Sequence, residues 1–278
     1  MRYIVEIIEK AVEKGRVVLA VAAAQEANVL EAVCDAYDKG IVQPILVGEP
    51  EAIKAAAREA RGGAGVDIAG FEVVPAVDLA GAAATAVQLV KTGRADILMK
   101  GILDTAVLLK AVLNKEKGIN AGCLASHVAV MEVPTYHKLL VVTDAAINIA
   151  PDLPGFVDII GSAVRVSQSL GVEKPKVAFL AAVEKVNPDK MPCTVTASIL
   201  TQMNRRGQIR GCVVDGPLAL DNAVSRESAR IKHIDSAVAG DADILVAPDI
   251  EAGNILYKCL LDLAQAKGAA IVMGAEKP

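Results

Sequence analysis

Polar residues suited to binding an anion or orienting a small molecule gather directly after short apolar runs. Ile97-Leu98-Met99 leads into Lys100-Gly101, and Leu139 to Val142 leads into Thr143-Asp144, with Asn148 and Asp152 downstream. Cys212 to Val214 leads into Asp215-Gly216-Pro217 and then Asp221-Asn222, and Ile244 to Ala247 leads into Pro248-Asp249, then Gly253-Asn254 and Tyr257-Lys258. Where such runs are parallel strands, these positions lie beyond their carboxyl ends, the place where open α/β sheets bind ligands. Lys100 supplies a cation, Gly101 an unobstructed backbone and the helix predicted near Asp104 its first N–H groups, a set that suits phosphate.

Each cluster also has a purely structural reading. Lys100 answers Asp104 or caps a neighbouring helix; Asp144, Asn148 and Asp152 cap a helix or stabilise a turn. Gly216 and Pro217 suit a turn and Asp221 an N-cap, while Asn254 and Lys258, one helical turn apart, suit a cap or an ion pair. Both readings stay open at this level. His127, His137 and His233 lack any paired metal-ligand spacing and read as structural or surface groups. Arg205-Arg206 ends a predicted helix and reads as a solvated face, as do Arg226 and Arg230, whereas Gly62-Gly63-Ala64-Gly65 matches no nucleotide-binding glycine pattern and reads as a loop.

The elements that must position these residues follow from periodicity. Val17 to Val21, Pro44 to Val47, Ile97 to Met99, Val128 to Met131, Leu139 to Val142, Val177 to Leu180, Cys212 to Val214, Ile244 to Val246 and Ala270 to Met273 are apolar on both faces, as buried parallel strands are. Helical spacing marks Glu51 to Arg61, Asp104 to Leu113, Val157 to Leu170, Cys193 to Arg206, Ser225 to Val238 and Ile255 to Lys267, and the Ala-rich stretch Leu79 to Val90 reads as a buried helix. The alternation gives an α/β architecture of mainly parallel sheets covered by helices. At 278 residues the chain exceeds one ordinary core, so two domains with a cleft are expected. The Pro and Gly cluster from Val133 to Gly155 places the divide between residues 1–131 and 132–278.

Composition narrows the function classes. A net charge of −4 with no Trp leaves neither the basic stripe nor the stacking platform of a nucleic-acid binder. The 5 cysteines form no C-x-x-C pair, so reduced thiols fit better than disulfides or zinc. Glu6, Glu9, Lys10, Glu13 and Lys14 interrupt the N-terminus where a signal peptide would be apolar, and no uncharged run is long enough to cross a bilayer. A cytoplasmic protein without a membrane role is expected.

Taken in order, Leu98-Met99-Lys100-Gly101 with Thr105, Ser126-His127-Val128 to Pro134, Thr143-Asp144-Ala145-Ala146-Ile147-Asn148, Asp215 to Asn222 and Pro248 to Lys258 resemble the phosphate acetyl/butyryltransferase family. The motifs span nearly the whole chain in register, which makes the set far more specific than any member. The resemblance implies a two-domain fold related to isocitrate and isopropylmalate dehydrogenases, a homodimer or higher homo-oligomer, and coenzyme A bound in the interdomain cleft. It implies no metal or other cofactor, coenzyme A and phosphate being substrates. The reaction implied is acyl-coenzyme A plus phosphate giving acyl phosphate and coenzyme A, with Asp144 to Asn148 and Asp215 to Asn222 favouring the butyryl branch over the acetyl one.

The substrate-binding candidates are therefore Lys100, Gly101, Thr105, Ser126, Thr143, Asp144, Asn148, Asp215, Pro217, Asp221, Asp249, Asn254 and Lys258. In the family, a segment beyond the region matching Gly274 to Pro278 bears a Ser-Arg pair and an acidic residue to which thiol activation is ascribed. No catalytic residue is therefore assigned within the 278 residues, and the chain is expected to fold and bind coenzyme A with severely impaired turnover. A coenzyme A or acyl phosphate binder without turnover is a second class. A metal- and nicotinamide-dependent dehydrogenase is a third, disfavoured by the lack of a dinucleotide glycine fingerprint and of a clear pair of metal carboxylates.

Overall fold

The structure, a computed structural model, describes residues 1–278 and divides into two α/β units. A four-stranded unit comprises Ile8–Gly122 with Ala275–Pro278, and a six-stranded unit comprises Met1–Ile7 with Cys123–Gly274. The divide expected after residue 131 falls instead inside a strand. The Pro and Gly cluster that suggested it lies wholly within the six-stranded unit, where Pro154 occupies the first turn of a helix capped by Asp152.

In chain order the first elements are α1 (Ile4–Lys14), β1 (Val17–Ala22), α2 (Ala27–Asp38), β2 (Val42–Gly48), α3 (Pro50–Glu59), β3 (Glu72–Pro75), α4 (Leu79–Lys91), β4 (Ile97–Lys100) and α5 (Thr105–Val112). The four strands are parallel in the order β3-β2-β1-β4. Alternation along β1 fills both faces: Leu19 and Val21 pack with Leu30 and Val33 of α2 and Ile53 of α3, while Ala20 and Ala22 pack with Ala82, Ala83 and Ala86 of α4. Alanine on both surfaces lets α4 lie close to the sheet, which accounts for its composition. Asp78 starts α4 by accepting a 2.6 Å bond from Gly81 N.

The second set is β5 (Ser126–Glu132), β6 (Leu140–Thr143), α6 (Leu153–Ser169), β7 (Lys176–Leu180), α7 (Cys193–Arg205), β8 (Val213–Leu218), α8 (Leu220–Val224), α9 (Arg226–Ile231), β9 (Ile244–Val246), α10 (Ile250–Lys258) and β10 (Lys267–Met273). The order is β10-β5-β6-β9-β7-β8, with β6, β9, β7 and β8 parallel and β5 antiparallel to both its neighbours. Val177 and Phe179 face α6 and α7, whereas Ala178 and Leu180 face the side covered by α8 and α10. Phe179 is fully buried and meets Phe156 of α6 edge-on at 4.9 Å. Truncating such a side chain to alanine costs about 3–5 kcal/mol.

Several expectations are corrected. The run Ala270 to Met273 belongs to β10, an edge strand that is largely exposed and antiparallel to β5. The helix expected over Ser225 to Val238 ends at Ile231, and the one expected from Ile255 begins at Ile250 and passes into a π-helical turn at Cys259–Leu263. β3, α1 and α2 lie outside the elements expected from periodicity, although α1 spaces Ile4, Ile7, Ile8 and Ala11 at helical intervals. No helix is long and apolar enough to cross a membrane, and none of the five cysteines forms a disulfide.

Candidate active site

In the four-stranded unit the chain winds from β1 outward to β2 and β3, then returns to β4 on the opposite side of β1. The winding thus reverses between β1 and β4, and the crevice beyond their carboxyl ends is the expected ligand position. Lys100 is the last residue of β4, level with Ala22 of β1. Gly101 N then donates to Ala22 O at 2.8 Å and Ile102 N to Ala23 O at 2.8 Å, so the two strand exits stay joined beyond the sheet. A β-carbon at Gly101 would fall 2.0 Å from Ala23 O, so only glycine permits that approach.

The Lys100 ammonium donates to Leu103 O at 2.9 Å and to Gly101 O at 3.3 Å. It pairs with no carboxylate, so the ion pair with Asp104 that sequence reasoning left open does not form. With three N–H donors and two carbonyl partners, it keeps one donor and its whole charge for a ligand. The crevice around it, of about 350 Å³, is lined by Glu26, Leu79, Lys100, Gly101, Ile102, Leu103 and Asp104. Asp104 sits at the N-cap of α5 without making a side-chain capping bond, and Thr105, the first residue of α5, is exposed beside it.

In the six-stranded unit, Thr143 and Asp144 at the end of β6 are buried. Thr143 Oγ1 donates to His127 O at 2.8 Å. Asp144 accepts four bonds: Ala146 N at 2.9 Å and Ile147 N at 3.0 Å on Oδ1, His127 N at 3.2 Å and Asn148 Nδ2 at 2.6 Å on Oδ2. Asn148 also donates to Ala125 O at 2.8 Å, and Asn254 of α10 donates to Ala145 O at 2.9 Å. A β-carbon at Gly253 would come within 2.2 Å of Asp144 O, so α10 packs directly on this turn. Thr143, Asp144, Asn148 and Asn254 thus form one network that shapes the end of β6.

Ser126, adjoining that network, is fully buried and its Oγ has no partner. His127 is half-buried, its ring edge-on to Tyr257 at 5.5 Å; burial pushes its pKa below the usual histidine value against the pull of Asp144, so it is neutral at pH 7. Asp249 caps α10 through a 2.8 Å bond from Ala252 N, and Lys258 stands exposed at the far end of that helix, apart from the network. Asp152, weighed as a ligand group or a cap, accepts from Gly155 N at 2.9 Å and caps α6.

At the end of β8, Pro217 is buried after a cis peptide bond with Gly216, and Asp215 is half-buried. Asp221 is exposed and lies 3.7 Å from the ammonium of Lys232. Lys232 donates to Glu184 at 2.6 Å, and Asn222, itself fully buried, donates to the same Glu184 oxygen. Bonding to Lys232 lowers the Glu184 pKa, and the same contact raises that of Lys232, so both are charged at neutral pH. Sequence reasoning missed this pair. Three apolar residues, Ala181 to Val183, separate Glu184 from β7, and Lys232 arrives from the far end of α9.

Residues 76–278 match the family described as phosphate acetyl/butaryl transferase. The chain is 46% identical over 273 residues to the phosphate butyryltransferase of Clostridium acetobutylicum, covering 98% of this chain and 89% of that protein. It is 43% identical over 278 residues to the phosphate acetyltransferase of Thermotoga maritima, covering 99% and 92% respectively. A crystal structure of a branched-chain phosphotransacylase from Enterococcus faecalis superposes with a TM-score of 0.81 at 35% identity, over 94% of this chain and 90% of that one. With this extent of similarity, and with Lys100, Gly101 and the strand-end motifs arranged as described, the chain belongs to the phosphate acetyl/butyryltransferase family.

Proposed function

We propose that this protein transfers a short acyl group between coenzyme A and inorganic phosphate, with butyryl or a group of similar size preferred. The observation that carries the reading is the Lys100 ammonium, bonded only to carbonyl oxygens in the crevice where the winding reverses. A phosphate oxygen attacks the thioester carbonyl, and the tetrahedral oxyanion collapses with release of the coenzyme A thiolate, which then takes a proton. A free thiol has a pKa of about 8.5, so thiolate departs with modest assistance, while phosphate must be held by cations and N–H donors. Lys100 and the backbone opened by Gly101 supply that hold.

Butyryl is preferred over acetyl on the strength of the motifs Asp144 to Asn148 and Asp215 to Asn222; overall identity, 46% against 43%, separates the two branches poorly. A pocket distinguishes neighbouring chain lengths by only about 1–3 kcal/mol per methylene, so activity on nearby acyl groups accompanies the preference. Release of thiol from acetyl, butyryl and hexanoyl coenzyme A in the presence of phosphate tests this; a strong preference for acetyl transfers the assignment to that branch. Binding of coenzyme A without phosphate-dependent thiol release favours a non-catalytic binder. The same reading takes the protein as a cytoplasmic homodimer or higher homo-oligomer that needs no metal. Light scattering of the purified protein and activity after chelation test the last two points.

A further inference from the structure

The network of Glu184, Asn222 and Lys232 lies beside the exits of β7 and β8. Ala181 N donates to Leu218 O at 2.9 Å, which holds those exits together. The loops leave toward opposite faces of the sheet: α7, after β7, packs with Val177 and Phe179, whereas α8, after β8, packs with Ala178 and Leu180. Adjacent strand exits whose loops diverge in this way are the ordinary position of a ligand crevice in an open sheet.

The bonding is asymmetric. One carboxylate oxygen of Glu184, Oε1, takes both Lys232 Nζ and Asn222 Nδ2, and apart from Glu184's own backbone N–H no other group bonds the carboxylate, which leaves Oε2 without a partner from any other residue. The Glu184 side chain is 25% exposed and that of Lys232 43% exposed, so both are open to solvent. Asn222 is fully buried, and its Oδ1 has no partner. The amide of Asn222 thus fixes the Glu184 carboxylate while making no other side-chain bond, an expensive arrangement for a residue serving only as filler. What it holds in place is an open anionic acceptor next to a cationic donor with an N–H to spare.

That pair is complementary to a secondary amide, whose N–H donates to Glu184 Oε2 while its carbonyl accepts from Lys232. We infer that Glu184 and Lys232 bind an amide of the pantetheine arm of coenzyme A, with Asn222 as the positioning residue behind Glu184. The assignment rests on the acyltransferase reading. It names residues that read the carrier and leaves the acyl group and the phosphate to others.

The test separates the carrier into pieces. Binding of pantetheine and of adenosine 3′,5′-bisphosphate is measured by calorimetry on the full chain and on Glu184→Gln. In Glu184→Gln the carboxamide oxygen still accepts from Lys232 and Asn222, but an NH2 group replaces the open acceptor. The variant is expected to melt like the original and to bind pantetheine about tenfold more weakly or worse, as for about 1.4 kcal/mol lost with one hydrogen bond, with the nucleotide fragment unaffected. Lys232→Met is expected to lose pantetheine binding similarly and Lys232→Arg to retain most of it. Unchanged pantetheine affinity in Glu184→Gln overturns the assignment. Equal weakening of both fragments also overturns it, because the network then serves only as scaffold. If the original protein binds neither coenzyme A nor either fragment, the acyltransferase reading falls first and this assignment with it.

Discussion

Gly101 approaches Ala23 so closely that a β-carbon on the glycine would lie 2.0 Å from the alanine carbonyl oxygen. The contact joins β4 to β1 where Lys100 is presented, so it couples packing to the site. Gly101→Ala must push the exit of β4 away from β1, with a destabilisation of about 1–3 kcal/mol, the usual cost of overpacking. For a chain of this size that lowers Tm by several degrees at about 2–4 °C per kcal/mol. The phosphate KM is expected to rise in the same variant. Unchanged melting and an unchanged KM together contradict this account of the glycine.

Lys100→Ala is expected to behave differently. The ammonium bonds only to two loop carbonyls, and the residue is exposed, so Tm should move little. The phosphate or coenzyme A KM should rise at least tenfold. Steady-state kinetics with each substrate varied in turn check this, and normal values for both remove Lys100 from the site.

Asp144 is a brace before it is anything else. Its buried carboxylate takes four donors, two of them from the turn that follows β6. Asp144→Ala strands those donors, and because each buried group left unpaired costs about 1–3 kcal/mol, the loss of stability should be on the order of 3 kcal/mol or more. Urea unfolding gives the value directly. A midpoint like that of the original protein means that water reaches these groups and the network is not a packed one.

Much of this site was legible in the sequence and part was not, for identifiable reasons. Lys100, Asp144 and Asp249 follow apolar runs at once, so a strand-end argument finds them. Whether such a residue faces a ligand or its own turn depends on backbone geometry: Lys100 is open, whereas Thr143 and Ser126 are turned inward and buried. Glu184 and Lys232 meet across 48 positions of sequence, a separation that no local pattern reports. The direction of β5 was equally hidden, since a buried antiparallel strand beside parallel ones carries the same unbroken apolar run, and β10, though largely exposed, is apolar from Ala269 to Met273 in the same way.

Away from the site, Asp241 gathers Lys138, Lys176, His137 and Arg226 at the opposite end of β6, β7 and β9. Burial alone raises its pKa, but the bonds from Lys176 and Lys138, the charge of Lys138 and the bond from His137 outweigh that and hold it well below the usual carboxylate range. A carboxyl depressed on folding adds stability above its unfolded pKa of about 3.9 and loses it as pH falls through the folded value. The stability difference between the original protein and Asp241→Asn should therefore shrink as the pH falls below about 4. Chemical denaturation at several pH values checks the trend. A gap that widens below about pH 4 contradicts it.

The central claim is that phosphate and a short acyl-coenzyme A react on this chain to give an acyl phosphate. The most direct measurement mixes butyryl coenzyme A with 32P-labelled phosphate and a stoichiometric amount of protein, so that even slow chemistry registers, and follows butyryl phosphate as its hydroxamate alongside the labelled product. The account predicts label in butyryl phosphate with an equal amount of free thiol, both abolished when phosphate is omitted and both reduced in Lys100→Ala. Thiol release that ignores phosphate, or no labelled acyl phosphate from protein that demonstrably binds coenzyme A, would contradict it.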